Sequence, residues 1–313
     1  MSSNMYFQRD SFITEIYKAA KKNKEIYFLS ADFGAPALDQ FRANLKKQFL
    51  HLGICEQNMV DFACGLALEN KKVYIYAMAP FLALRCLEQH KTATCLMNLN
   101  VCSIVTGIGL SYANSGPTHY STEDFASLRS LPNCNIYTCS DAEAAKMVAK
   151  ETLKIKTPVF VRLDRKASKN LTKKIEIKDI KKGFRYLKRL KSSKNLILSH
   201  GSIIERAMSA LSDIKLKSSN SFDVIDLIRS KPFPKELKNK LSKYESIITI
   251  DEQTSVGSLE SLIKENISTN HNILPMSLPD QFIFENVGRD KLLDKYGLSV
   301  ANIKKNIFKI IKS

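Results

Sequence analysis

The 313-residue chain has no Cys-x-x-Cys pair, and no cluster of its seven cysteines and five histidines has zinc-ligand spacing. A metal ribbon or a dithiol redox motif is therefore not expected. All seven cysteines (Cys55, Cys64, Cys86, Cys95, Cys102, Cys134 and Cys139) lie in the first half, mostly in apolar runs. They read as reduced, buried thiols of a cytoplasmic protein. Residues 1–10 lack the apolar core of a secretory signal, and no apolar run is long enough to span a bilayer, so a membrane protein is not expected. Internal repeats and low-complexity tracts are also missing. What is present is a globular balance, 44% hydrophobic and 25% charged, in a length that suits two domains with a core each.

The formal net charge is +17. Nucleic acid or an anionic membrane could account for such an excess. The lysines are dispersed, however, and the densest basic run, 166–194, lacks the interleaved aromatics of a single-strand binding platform. The charge reads as solvated surface, with no nucleic-acid and no membrane partner expected. Attraction to an acidic partner subunit or to phosphorylated sugars remains a third use for it.

Short β-branched runs alternate with helical patterns. Strands are expected at 26–29, 73–78, 102–106, 135–139 and 159–163, with room for crossover helices between them. One such helix spans 141–154, with Ser140 as N-cap. The segment 169–192 is basic with little apolar periodicity and reads as a linker. A second unit follows, with strands at 196–198, 224–227, 247–250 and 273–277 and helices at 202–211 and 257–267. The fold class is α/β, as two parallel-sheet α/β domains over 1–168 and 193–313.

The run His51-Leu52-Gly53-Ile54-Cys55-Glu56-Gln57-Asn58-Met59 sets one carboxylate, Glu56, after a glycine turn at the mouth of an apolar helix. A carboxyl buried among Ile54, Met59, Val60 and Phe62 without a partner would be hard to ionise, and is expected to share or donate a proton rather than sit in a salt bridge.

Gly53-Ile54-Cys55-Glu56-Gln57-Asn58-Met59 resembles a signature segment of the transketolase family. Ser115-Gly116-Pro117-Thr118-His119, Leu128-Arg129-Ser130-Leu131-Pro132-Asn133 and Ser30-Ala31-Asp32 are similar to three more, in the family's order. The resemblance runs from about Phe12 to the C-terminus and implies a pyrimidine-binding domain followed by the transketolase C-terminal domain. It implies thiamine diphosphate as cofactor, with Glu56 on the aminopyrimidine ring, Phe81 and Leu84 as an apolar slab against it, and Asp32 close by. It implies that His119 moves substrate protons, so Glu56 and His119 are the catalytic candidates. Substrate-binding candidates are His119, Ser115, Arg85, Arg162 and Arg165, since a guanidinium can hold a phosphate or carboxylate by two parallel bonds.

No Gly-Asp-Gly motif occurs. The family's diphosphate-binding domain is thus expected on a separate N-terminal transketolase subunit, which would hold Mg2+ or Ca2+ and form a heterotetramer with this chain. The expected reaction is transfer of a two-carbon ketol unit between sugars or sugar phosphates. A deoxyxylulose-phosphate-synthase-like subunit and a non-catalytic partner-binding subunit are the alternatives. Three departures bear on the substrate. Gly107, Ser115 and Pro36 stand where the family places a histidine, an aspartate and a serine that contact substrate. They point to a substrate outside the usual pentose and hexose phosphates, unless Arg85, Arg162 and Arg165 rebuild the phosphate site.

Overall fold

Runs of apolar and β-branched residues without polar alternation suit strands covered on both faces, and they form the centre of two mainly parallel sheets. The computed structural model describes residues 5–312 except 33, 173, 191, 213, 215–220 and 268–270. In the first half, β1 (Ile26–Ala31), β2 (Phe49–Gly53), β3 (Lys72–Met78), β4 (Val101–Thr106), β5 (Asn135–Thr138) and β6 (Val159–Leu163) alternate with helices α1 (Gln8–Ala20), α2 (Leu38–Asn44), α3 (Glu56–Leu68), α4 (Leu87–Gln89), α5 (Asp124–Ser130) and α6 (Ala142–Thr152). Two π-helical turns, Pro80–Leu84 and His90–Cys95, flank α4. The second half runs α7 (Ile177–Lys182), β7 (Phe184–Lys188), β8 (Asn195–Ser199), α8 (Ile204–Ser212), β9 (Phe222–Leu227), β10 (Arg229–Lys231), α9 (Lys235–Leu241), β11 (Ser246–Thr254), α10 (Leu259–Lys264), β12 (Asn272–Leu278), α11 (Arg289–Lys295) and α12 (Val300–Lys312).

The first sheet has the order β10-β5-β6-β4-β3-β1-β2, and the second β12-β11-β8-β9-β7. All pairings are parallel except β10 with β5 and β7 with β9. Each sheet is sandwiched. Phe12, Ile16, Phe28, Phe41 and Tyr74 fill one face of the first, and Met59, Val60, Ala63, Leu29 and Ile75 the other.

Several expectations need correction. Strand β2 is an addition to the expected set; its pattern is weak because only its first residue, Phe49, is buried. The segment that reads as a linker holds α7 and β7. Its lysines hide Ile175 and Ile180, buried against the first domain, and Phe184, buried in the second. Asp141, not Ser140, caps α6, its carboxylate accepting from Ala144 N at 2.7 Å. Helices α11 and α12 are further additions. No helix among the described residues is long and apolar enough to cross a membrane. Six cysteines are buried free thiols, and Cys55 is half-buried.

Three arginines, Arg162 and Arg185 buried and Arg289 nearly so, organise the charge at and near the domain boundary. Arg289 on α11 reaches Asp164 after β6 at 2.7 Å and Glu252 on β11 at 2.5 Å. Arg185 on β7 reaches Asp226 on β9 at 2.8 Å and Asp141 at 2.9 Å. Arg162 on β6 makes a bidentate pair with Asp124, at 2.6 and 2.9 Å, and donates to Thr138 at 3.0 Å. Phe125 lies under that guanidinium and meets the His200 ring from the other domain edge-on, centroids 4.7 Å apart.

Two outcomes follow from these buried charges. Arg162→Met leaves the buried Asp124 carboxyl without its partner, which costs about 3–5 kcal/mol, whereas Arg162→Met with Asp124→Leu recovers most of the loss. Urea unfolding of the single and double variants reads this, and a single variant within about 1 kcal/mol of the parent would count against it. The second outcome concerns Asp251 on β11. Burial pushes its carboxyl up to about 7, against the backbone bond from Leu259 and the nearby Arg162 charge. The folded chain keeps a proton that the unfolded chain releases at about 4. Its contribution to stability is therefore present below that value and is lost as pH rises through about 7. Asp251→Asn should flatten stability against pH across that window, and an unchanged slope would show that another group titrates there.

Candidate active site

Ligands of parallel α/β sheets gather beyond the carboxyl ends of the strands. Here β1, β2, β3, β4 and β6 all end toward one rim, and the segments that follow them carry Asp32, Glu56, Phe81, Tyr112 with His119, and Arg165. Glu56 is the first residue of α3, reached through Gly53 in a left-handed conformation at φ 76°. The turn brings the chain back over the sheet so that the carboxylate lies at the helix N-terminus, which favours negative charge. Glu56 is only 5% exposed.

Glu56 is not without an ionic partner. Arg85 Nη1 donates to its Oε2 at 2.6 Å. The same guanidinium lies over the Phe81 ring, 4.4 Å from the centroid. Pro80 opens a π-helical turn, and the i→i+5 spacing sets Phe81 and Arg85 on neighbouring positions of one wide coil. Phe81 in turn meets the His119 ring edge-on, centroids 5.4 Å apart. His119 closes a turn on Gly116, with its N–H on Gly116 O at 3.0 Å and its Nδ1 2.9 Å from Thr118 Oγ1. Beyond His119 stands Tyr112, ring centroids 6.4 Å apart, and Arg165 rests on the Tyr112 ring at 4.6 Å.

The rim therefore carries one continuous line: carboxylate, guanidinium, aromatic face, imidazole, aromatic face, guanidinium. Of the residues expected at the site, it brings together Glu56, Arg85, Phe81, His119 and Arg165. Leu84 is half-buried on the same coil as Phe81. Asp32 is exposed and 3.8 Å from His51 Nε2, with no contact to the line among the described residues. Ser115 is exposed, and its N–H donates to Tyr112 O at 2.8 Å.

Arg162 is corrected outright. It is 1% exposed and committed to Asp124, so no substrate reaches it. Its neighbours in sequence explain the difference. Alternation along β6 turns Arg162 into the layer under α5, while Arg165, beyond the strand end, stays at the surface.

Sequence reading missed Tyr112 and Asp164. Asp164 accepts from Ser111 Oγ at 2.9 Å and from Lys166 N at 2.8 Å, and is also bonded by Ser202. Burial opposes its ionisation, but the Arg289 charge and the Ser202 bond outweigh it and hold the carboxyl below the usual range. Among the described residues no group of three or more His, Cys, Asp or Glu could hold a metal ion.

Comparison with known proteins gives a consistent answer. Residues 8–170 match the model of the transketolase pyrimidine-binding domain, and 186–303 that of the transketolase C-terminal domain. The chain is 28% identical to a subunit of the apulose-4-phosphate transketolase of Phocaeicola vulgatus over the full length of both chains. It is 29% identical to 1-deoxy-D-xylulose-5-phosphate synthase of Dictyoglomus thermophilum, covering 88% of this chain and 44% of that protein. A solved split-gene transketolase, an inactive β4 tetramer, shares the fold, with a TM-score of 0.85, 24% identity and 98% of each chain covered. With more than half of its length matched by the first model alone, the chain belongs to the transketolase family.

Proposed function

We propose that this chain is the C-terminal subunit of a two-chain transketolase that uses thiamine diphosphate to move a two-carbon ketol unit from a ketose to an aldose. The observation that carries the reading is the contact line from Glu56 through Phe81 to His119 at the carboxyl ends of the first sheet. Family membership supports it, and so does the likeness to a transketolase subunit that is itself named for a 4-phosphate sugar.

The donor set suits the pyrimidine end of the cofactor. A buried carboxyl beside an aromatic face is what a flat ring bearing N–H groups needs. The Arg85 guanidinium, flat and rich in N–H groups, makes both contacts, to Glu56 at 2.6 Å and to Phe81 at 4.4 Å. Arg85 is 41% exposed, so it can turn to solvent at little cost when a ligand takes those surfaces. Thiamine diphosphate, when bound, supplies the nucleophilic carbon that the transfer needs. Glu56 holds a proton at the pyrimidine ring nitrogen. Phe81 and Leu84 exclude water from that contact. His119, braced by Thr118, takes and returns protons at substrate hydroxyls. Arg165 meets the anionic end of a sugar phosphate. The metal and the diphosphate are held by the N-terminal subunit, in a heterotetramer with two copies of each chain.

The chain alone is therefore expected to be inactive and to gain ketol transfer when mixed with a subunit carrying Gly-Asp-Gly. Transfer of a ketol unit from xylulose 5-phosphate to ribose 5-phosphate by the purified chain on its own would refute the split. Consumption of pyruvate by the assembled pair would move the reading to the deoxyxylulose-phosphate-synthase-like alternative.

Glu56→Gln should abolish turnover of the assembled enzyme while the fold survives. The pair it breaks has one half-exposed partner, so the change costs about 0–1 kcal/mol and a few degrees of Tm at most. Exchange of the cofactor's acidic ring proton, followed by NMR, is the direct reading. An exchange rate equal to the parent's would remove Glu56 from its role.

A further inference from the structure

Gly107 follows the last residue of β4 and takes the left-handed region at φ 89°. A Cβ built there would stand 2.0 Å from Tyr112 Cε2 and 2.5 Å from Cδ2. A side chain at 107 and the Tyr112 ring thus exclude one another. The ring is 6% exposed and occupies the wall of the site beside His119. Its outer face carries the Arg165 guanidinium at 4.6 Å.

The charge of Arg165 is uncommitted. Among the described residues no carboxylate lies within ion-pair range of it, whereas Arg85, Arg162 and Arg289 are paired to Glu56, Asp124 and Asp164. Arg165 is exposed, and stacking holds its plane while leaving the N–H edges open. Both partners of the stack hang from one carboxylate. Asp164 precedes Arg165 in the chain and fixes Ser111, the residue before Tyr112, at 2.9 Å.

We propose that Tyr112 is a specificity-determining positioning residue: its ring replaces a side chain at 107 and holds Arg165 at the place where the phosphate of a sugar phosphate is met. This rests on the reading of the rim as a ketol-transfer site. It also explains how phosphate can be recognised although Gly107 and Pro36 offer no side-chain hydrogen-bond donor.

The test uses the full-length chain and needs no turnover. With five histidines in the sequence, the His119 imidazole signals can be assigned by loss in His119→Asn and followed by NMR. Ribose 5-phosphate should shift them saturably, and ribose at equal concentration should not. Tyr112→Leu should weaken ribose 5-phosphate binding by about three- to tenfold, the range of an exposed to partly buried cation–π contact. Tyr112→Phe, which keeps the ring, should restore it. Arg165→Leu should abolish the preference for the phosphorylated sugar, and adding Tyr112→Leu to it should weaken binding no further. Arg165→Lys, which keeps the charge but loses the flat face, covers the case in which Tyr112→Leu does not fold, and should also bind more weakly.

Parent-like binding by a folded Tyr112→Leu or by Arg165→Lys would overturn the proposal. So would additive losses in the double variant, or no binding of ribose 5-phosphate by the parent. Failure of the functional reading would look different: the assembled pair would transfer no ketol unit while the Tyr112-dependent binding of ribose 5-phosphate persisted.

Discussion

The Arg289 bridge between Asp164 and Glu252 is the interaction on which the rest is hung. Taking three charges out of water is expensive, and such a cluster persists only where geometry and extra hydrogen bonds satisfy every member. Here they do. Asp164 is bonded by Ser111, Lys166 N, Ser202 and Arg289, and Glu252 by Arg289 and Leu110 N. Asp164 lies beside Arg165 in sequence, and Ser111 beside Tyr112. The carboxylate that docks the second domain thus also fixes the two loops of the rim. Domain packing and site geometry are one arrangement, so the second domain shapes the site without placing a side chain in the line from Glu56 to Arg165.

Much of this is legible in the sequence. Strand β6 has its expected bounds, and the alternation of strands with crossover helices leads to two parallel sheets. Glu56 stands out as a carboxylate after a glycine turn at a helix mouth and His119 as a histidine after a Gly-Pro turn, whereas Phe81 is singled out only by the resemblance to the family segment. What cannot be read depends on tertiary placement. Arg162 and Arg165 are three residues apart and chemically identical, and only their tertiary placement, one within β6 under α5 and the other beyond the strand end, decides that one is buried and the other exposed. The partner of Glu56 is 29 positions away, across a π-helical turn that periodicity of 3.6 cannot anticipate. The segment carrying α7 and β7 resembles a linker because its lysines are counted more easily than its spaced apolar residues.

The large positive charge fits the same division. Buried arginines account for the organised part of it, each matched to aspartate or glutamate. Most of the lysines that form ion pairs do so with exposed or half-buried acids, often three or four positions away on one helix, as at Lys18 with Glu15 or Lys264 with Glu260. Such pairs contribute little to stability and are screened by salt. What remains is a long-range positive field that attracts anions in general, and it acts on rates of encounter more than on fold.

Strand β10 has a bearing on where such a chain could be divided during evolution. It follows β9 after one residue, leaves the second sheet, and pairs antiparallel with β5 at the edge of the first. Cutting the gene between the two domains would strip that cover and leave β5 with a row of unsatisfied N–H and C=O groups, a template for association with other strands. It would also part Asp141 from Arg185 and Asp164 from Arg289. A boundary drawn between the two domains would thus cost both halves stability, which favours their inheritance as one unit.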